Sequence, residues 1–224
     1  ASWAAKVRRD VVDRPVIYIG TGTCGLGAGA AETLRAIKRH LTKIGAKADV
    51  VEVGCIGLCS QEPLVDIQMP GRTRVSFGKV TAEKAPELLD AMFAGKIPHQ
   101  FVLGQFAQQW QSGWDTVPYL AQHPFFALQR RCVLQNCGLI DANQIDEYIA
   151  RGGYSALLNV LRSQRREDVC DAVEKSGLRG RGGGGFPTGT KWKIALKQAA
   201  EQRYLICNAD EGDPGAFMDR AVIE

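Results

Sequence analysis

Two apolar, β-branched runs flanking one amphipathic helix constrain this chain more than any other feature. PVIYIG (residues 15–20) reads as a buried strand. GAAETLRAIKRHLTKIG (29–45) then places Leu34, Ile37, Leu41 and Ile44 at helical spacing and closes on Gly45. ADVVEV (48–53) is a second apolar run. A strand, a crossover helix and a second strand lie side by side, parallel and right-handed, so the loops leaving the two carboxyl ends converge. LVDIQ and RVSFG add two strands around the turn MPGR, and PELLDAMFAGK (86–96) opens on Pro and closes near Gly as a helix does.

The order βαβ, ββ, α predicts a thioredoxin-like α/β domain over residues 14–97, preceded by an exposed arm over 1–13. Residues 98–125 lose periodicity and gain Gln, with Phe101, Phe106, Trp110, Trp114 and Tyr119 spaced irregularly. They read as a connector pinned to the surface by its aromatics, or as a docking strip for a partner. From PFFALQRR onward the pattern is helical, through NQIDEYIARG, YSALLNVLRS and REDVCDAVEKSG. After a glycine run KWKIALKQAAEQ resumes a helix, and RYLICNAD (203–210) reads as a buried strand. The chain stops at AVIE with no cap or turn, so residues 126–224 are expected to be the start of a second α/β domain within a longer protein.

Composition narrows the function classes. No apolar run approaches the ~20 residues a membrane-spanning helix needs. The amino terminus ASWAAKVRRDVVDRP lacks the apolar core of a secretory signal. A net charge of +4, spread along the chain without a nucleic-acid-binding motif, argues against nucleic acid and leaves small anionic ligands open. Seven cysteines, an odd number without a secretory signal, point to a reducing, cytoplasmic setting in which thiols act as metal ligands or core residues.

Cys24 follows the first strand, and Cys55 and Cys59 follow the second, so the βαβ geometry lets three thiols meet. The C-x3-C spacing in GCIGLC turns two sulfurs toward one centre, while its glycines offer backbone N–H groups to cluster sulfur. An iron–sulfur cluster takes four protein ligands, and so does structural zinc. His40, the one His in this domain, sits at the far end of its helix. Cluster, zinc site and metal-free thiols therefore stand as three readings. Cys132, Cys137, Cys170 and Cys207 have no ligand spacing and read as core residues.

GLRGRGGGGFPTGTKW (177–192) contains a G-x-G-x-x-G match at 180–185, with Asp210 downstream. A Rossmann fingerprint needs a strand immediately before the glycines, and REDVCDAVEKS is helical instead. A flexible linker would be polar and lead between domains, whereas this loop carries Phe186 and Trp192 and runs into a helix. From Lys175 to Ala200 there are Lys175, Arg179, Arg181, Lys191, Lys193 and Lys197 and no acid. Close backbone approach, a helix amino terminus and surplus cations fit a phosphate or pyrophosphate. NADEGDPGAFMDR (208–220) brings an Asn and several acids around two glycines, which suits a ribityl chain or heterocycle.

These residues carry two resemblances. YIGTGTCGLGAGA with GCIGLCSQEPLVDI resembles the thioredoxin-like 2Fe-2S domain of the small flavoprotein-fraction subunit of complex I. That family's pattern is C-x4-C, a long gap, then C-x3-C; Ile19 stands at its first position, and Cys24, Cys55 and Cys59 match the other three. The resemblance implies a 2Fe-2S cluster completed by Thr21, Thr23 or water, or a domain kept for docking alone. GLRGRGGGGFPTGTKW and NADEGDPG, preceded by RRCVLQNCGLID and DEYIARGGYSAL, resemble the FMN- and NADH-binding (51 kDa-like) subunit of complex I. They are closer still to the diaphorase subunits of NAD-linked hydrogenases and formate dehydrogenases.

That second resemblance implies that Gly180, Arg181, Gly182 and Lys191 contact FMN from the first loop, and Asn208, Asp210 and Glu211 from the second. Gly183 and Phe186 would face NAD(H), with Asp213 near the nicotinamide and Ile194 where some members carry Phe. It implies an NADH:acceptor oxidoreductase module with no side chain acting as general acid or base. Other subunits of a hydrogenase, formate dehydrogenase or related redox complex would be its partners, and a 4Fe-4S cluster would lie beyond residue 224. The alternative is a cluster-free thioredoxin-like adaptor that docks a flavoprotein subunit to its partner.

Overall fold

β1 (Val16–Gly20) is buried along its whole length, which is why its sequence is continuously apolar rather than alternating. In the computed structural model, which describes residues 2–216 and 218–223, it lies between β2 and β3 in one sheet of order β2-β1-β3-β4-β5. β2 (Asp49–Val53) pairs parallel to β1, with Val16 opposite Asp49 and Gly20 opposite Val53. β3 (Val65–Gln68) pairs antiparallel on the other side of β1, β4 (Val75–Phe77) antiparallel to β3, and β5 (Val102–Gln105) antiparallel to β4.

α1 (Trp3–Val7) precedes the sheet, α2 (Thr23–Gly27) follows β1, and α3 (Ala30–Ile44) is the crossover to β2. α3 turns Ala30, Thr33, Ala36, Ile37 and Leu41 inward and ends on Gly45, whose φ of 66° is left-handed, as the closing glycine predicts. α4 (Ala85–Phe93) buries Leu88, Leu89 and Met92. Both helices share a core with Ile17, Ile19, Ile67 and Phe77, while Val16, Tyr18, Val51 and Val53 pack on the opposite face with Val12. This is the thioredoxin-like α/β arrangement expected from the sequence.

Around that sheet the structure departs from the sequence pattern in four places. The amino-terminal arm forms α1 and is tied down: Arg8 donates to the Ala150 carbonyl at 3.0 Å, and Arg9 pairs with Glu147 at 2.6 Å. The aperiodic connector supplies β5. There Gln105 accepts from Thr73 Oγ1 and Trp114 N–H and donates to the Trp114 and Val117 carbonyls, a side-chain network that has no hydrophobic period to betray it. Trp114 and Phe101 are buried as pinning aromatics, while Trp110 is exposed.

Residues 124–144, read as helical, form turns instead. They are held by tertiary bonds that compete with a helix: Arg74 donates to the Gly138 carbonyl at 2.6 Å and Arg131 to the Ile56 carbonyl at 2.9 Å. A Cβ at Gly138 would lie 2.1 Å from Ile56 Cγ2, and the residue's φ is 75°, so the close approach requires glycine. α5 (Ile145–Ala150) begins only after this stretch.

The described chain divides into two compact units, Ala1–Arg151 with Ala209–Glu224, and Gly152–Asn208. The second holds α6 (Ser155–Ser163), α7 (Arg166–Lys175) and α8 (Thr188–Leu196). α8 lies tightly on α7, because a Cβ at Gly189 would stand 2.4 Å from Glu174 Cα. Lys193 reinforces the contact with Asp171 at 2.7 Å and Glu174 at 2.6 Å.

The expected strand at 203–210 is the fourth departure: it has no regular structure, and Tyr204, Leu205 and Ile206 are 83%, 100% and 83% exposed. A strand needs a neighbour to pair its backbone groups, and among the described residues of Gly152–Asn208 there is none. α9 (Met218–Ile223) closes the described chain.

One buried ion pair joins the sheet to the turns beyond it. Arg74 contacts Asp66 at 2.5 Å, with side chains 5% and 10% exposed, and its guanidinium lies 3.6 Å from the Tyr18 ring centre and 4.7 Å from that of Phe106. Removing one member of a buried pair strands the other charge, so Asp66→Ala is expected to cost about 3–5 kcal/mol in urea unfolding. The doubly apolar variant Asp66→Leu with Arg74→Met should recover most of that loss.

Candidate metal centre and cofactor loops

Three elements deliver the thiols. β1 ends at Gly20, and α2 starts three residues later with Cys24 in its first turn. β2 ends at Val53, the loop after it carries Cys55, and Cys59 opens the short 3-10 turn Cys59–Gln61. A Cβ at Gly25 would lie 2.1 Å from the Gly20 carbonyl oxygen, so glycine is what lets α2 settle over the end of β1.

The Sγ atoms of Cys24, Cys55 and Cys59 lie within 4.8 Å of one another, those of Cys55 and Cys59 at 3.8 Å, and the Gly57 N–H points at Cys55 Sγ at 3.2 Å. Cys24 and Cys59 are exposed and Cys55 half-buried, so these are reachable thiols rather than packing residues.

Their electrostatics describe a site that resists negative charge by itself. Burial pushes the Cys55 thiol up to about 12, with the Gly57 N–H pulling the other way and Cys59 adding to the rise. The hydrogen bond with Cys59, then burial, raises Cys24. A metal ion or the cationic core of a cluster reverses this, because its charge deprotonates the thiols that bind it. Three sulfur donors select iron–sulfur, zinc or another soft centre over calcium or magnesium.

Position 19 gives no fourth donor, since Ile19 is wholly buried in the core under α3. His40 gives none either: its Nε2 is 2.7 Å from Asp90 Oδ1, engaged on the other helix.

A residue the sequence reading passed over is Glu62. It is 7% exposed, its Oε2 accepts the Leu64 N–H at 2.7 Å, and Cβ atoms built at Gly20 and Gly25 would stand 3.2 and 3.3 Å from Oε2. Burial pushes its carboxyl up to about 7, opposed by the Leu64 N–H and the Cys55 thiol and supported by Asp66. An acid between a C-x3-C motif and a strand buried on both faces was the available signal.

The glycine loop lies in the Gly152–Asn208 unit and is preceded by a helix, α7, as the rejection of a Rossmann site requires. It folds back on itself: Gly180 N–H donates to the Phe186 carbonyl and Thr188 N–H to the Leu178 carbonyl, both at 2.9 Å. Arg179 donates to the Gly185 carbonyl at 3.1 Å and Arg181 to that of Arg179. A Cβ at Gly182, Gly183, Gly184 or Gly185 would meet open space, and Gly183 and Gly185 hold left-handed φ of 93° and 59°.

Phe186 is 53% exposed beside this open tip, and Lys191 is exposed in the first half of α8. One cation leaves the tally, since Lys193 is bound to two acids of α7, and Ile194 on α8 is 52% exposed. Asn208 closes this unit, while Asp210, Glu211 and Asp213 belong to the other. Glu211 there accepts from the Asp219 and Arg220 N–H groups at 2.8 and 3.2 Å, at the start of α9.

Of the remaining cysteines Cys170 is buried as expected and Cys137 half-buried. Cys132 and Cys207 are exposed, because the helix and the strand predicted around them are absent.

Comparison with known proteins bears on the carboxyl-terminal half first. Residues 173–224 match the Nuo51 FMN-binding domain family. The chain is 59% identical over 96 residues to the NADP-reducing hydrogenase subunit HndC of Solidesulfovibrio fructosivorans, covering 43% of this chain and 19% of that one. It is 55% identical over 82 residues to an NADH-quinone oxidoreductase subunit of Aquifex aeolicus, covering 37% and 19%. Over 173 residues, 75% of this chain and 24% of the relative, it is 30% identical to the NAD-reducing hydrogenase HoxS subunit alpha of Cupriavidus necator. The chain thus spans about a fifth to a quarter of the length of these relatives.

The raised Glu62 carboxyl gives the metal-free protein a defined pH dependence. The folded state holds the Glu62 proton more tightly than the unfolded state, so Glu62 weakens the fold as pH rises from 4.5 to about 7. Glu62→Gln in metal-free protein should flatten that decline and gain roughly 1–2 kcal/mol at pH 8 but nothing at pH 4, after allowance for solvent screening. Chemical denaturation at a series of pH values reads the difference.

Proposed function

We propose, on the premise that residues 173–224 belong to the Nuo51 FMN-binding family, that this chain is the amino-terminal part of a diaphorase: an NADH:acceptor oxidoreductase subunit working through FMN and iron–sulfur centres. The observation that carries the reading is the folded-back glycine loop between α7 and α8. Its tip offers open space at four successive glycines, with Arg181, Lys191 and an exposed Phe186 around it. When bound, FMN supplies hydride exchange with NAD(H) and one-electron delivery onward.

The residues of the chain bind and orient. Gly180, Arg181 and Gly182 present backbone and cation to the FMN phosphate, and Lys191 adds a second cation from α8. Asn208, Asp210 and Glu211 hold the ribityl chain and ring. Gly183 leaves room for the nicotinamide dinucleotide, Phe186 stacks on it, and Asp213 approaches the nicotinamide. Cys24, Cys55 and Cys59 hold a 2Fe-2S cluster, for which three converging sulfurs and the Gly57 N–H are a fitting donor set.

In this reading residues 14–97 are the cluster domain behind a 1–13 arm, 98–125 its connector, and 126–224 the first part of the FMN and NADH domain. The partners are other subunits of a hydrogenase, formate dehydrogenase or related redox complex, in the cytoplasm, and no described helix is long and apolar enough to cross a membrane. The 4Fe-4S cluster expected beyond residue 224 belongs to the same proposal.

A second reading is favoured by Ile19, which puts a buried aliphatic group where the cluster family has its first ligand. There the amino-terminal domain is a cluster-free adaptor.

Two measurements decide between these readings and test the first. In the intact subunit Phe186→Ala should raise KM for NADH about 10-fold, through the lost stacking. Lys191→Glu, by placing an acid against the phosphate, should remove FMN and NADH–ferricyanide activity; unchanged kinetics in both variants would end the flavin reading. Anaerobically purified protein should contain about two iron and two labile sulfide per amino-terminal domain, with a 2Fe-2S EPR signal on reduction. Iron-free protein of full stability supports the adaptor.

A further inference from the structure

The three thiols need a fourth donor, and the residues around them differ in what they offer. Ile19 has none. Thr21 and Thr23 offer neutral alcohols, which stay protonated where a carboxylate does not. His40 is committed to Asp90. Glu62 is different in kind: a carboxylate buried between the Cys24-bearing helix and the end of β1, against Gly20 and Gly25, with Oε1 sealed from solvent and no hydrogen-bond partner among the described residues.

An orphaned carboxylate oxygen in a low-dielectric position costs the fold stability unless something binds it. The Leu64 N–H goes to the other oxygen, and the Cys55 thiol is the further group that favours the carboxylate. The Cys55 thiol and Cys24 both feel the Glu62 charge, so the carboxylate belongs to the same electrostatic unit as the sulfurs.

We infer that Glu62 supplies the fourth protein ligand, through a carboxylate oxygen, to the iron–sulfur cluster held by Cys24, Cys55 and Cys59. The inference rests on the cluster reading above. Three thiolates and one carboxylate carry the same formal charge as four thiolates, so the cluster keeps the total charge of an all-cysteine site. An alcohol or water would leave it one charge short. Ligation also accounts for a buried acid three residues after Cys59, at the end of the short 3-10 turn that Cys59 opens.

The test is anaerobic reconstitution of the full chain with ferrous iron and sulfide, for the wild type, Glu62→Gln and Glu62→Cys, read by iron and sulfide content, Mössbauer spectroscopy and circular dichroism. Wild type should bind about two iron in two inequivalent ferric environments, one sulfur-only and one containing oxygen. Glu62→Cys should keep the iron and make the two environments alike. Glu62→Gln, whose amide oxygen can still accept the Leu64 N–H and preserve the fold by circular dichroism, should lose at least about 10-fold in iron retained against a chelator, the usual scale for losing a metal-site partner.

Equal retention by Glu62→Gln, with wild-type Mössbauer spectra, overturns the inference and leaves the cluster reading standing. So does iron in Glu62→Cys with none in the wild type. Folded protein that takes up no iron in any of the three overturns the cluster reading itself.

Discussion

The parallel pairing of β1 with β2 across the α3 crossover is what the amino-terminal site depends on. Because the crossover returns the chain beside β1 in the same direction, both strands end at the same edge, and the residues just past those ends are neighbours in space. Cys24 lies four residues beyond β1, and Cys55 and Cys59 two and six beyond β2. An antiparallel pairing of the same segments would have sent the two groups of thiols to opposite ends of the sheet. The core makes this pairing rigid: β1 is buried on both faces, by α3 and α4 on one side and by Val12, Val51 and Val53 on the other.

The carboxyl-terminal unit solves a different problem with similar means. Its glycine loop has little packing of its own, so its shape comes from the helices at its two ends. Gly189 lets α8 lie against α7 at backbone contact, and Lys193, bound to two acids, fixes the register of that contact. The loop between them closes with two backbone hydrogen bonds and leaves its tip open. Open glycines at a rigidly anchored turn are what a ligand phosphate needs, and they are also why the tip buries nothing in the protein alone.

The sheet and its helices were legible because each carries a period. The 2-residue and 3.6-residue patterns of residues 16–93 come from burial against one continuous core, and these elements fall within one to three residues of the expected ends. The features that escaped lack a period. β5 is held by the Gln105 side-chain network, and the turns over 124–144 by single bonds from Arg74 and Arg131 to backbone carbonyls. The apolar run RYLIC was misread for the opposite reason: it has strand composition, but pairing is a property of a neighbour, not of the run itself. At the site, spacing exposed Cys24, Cys55 and Cys59, because loops after parallel strands must converge. Glu62 sits at the end of the turn opened by Cys59, outside the cysteine pattern, and no ligand-spacing rule points to it.

That asymmetry explains how the site can depart from a four-cysteine pattern without losing its architecture. Position 19 lies within β1 itself, where alternation sends its side chain into the core beneath α3, and Ile19 packs there against its neighbours with no exposed surface. An aliphatic residue at that place strengthens the strand on which everything else hangs. The end of β1 is flanked on one side by the loop after β2 and on the other by the residues leading into β3. Glu62, at the end of the loop that carries Cys55 and Cys59, is the carboxylate proposed to join them there, and the glycines at 20 and 25 are what leave it the room. The pattern of cysteines is thus one solution to a constraint set by the sheet: donors of sufficient negative charge, brought to the carboxyl end of β1.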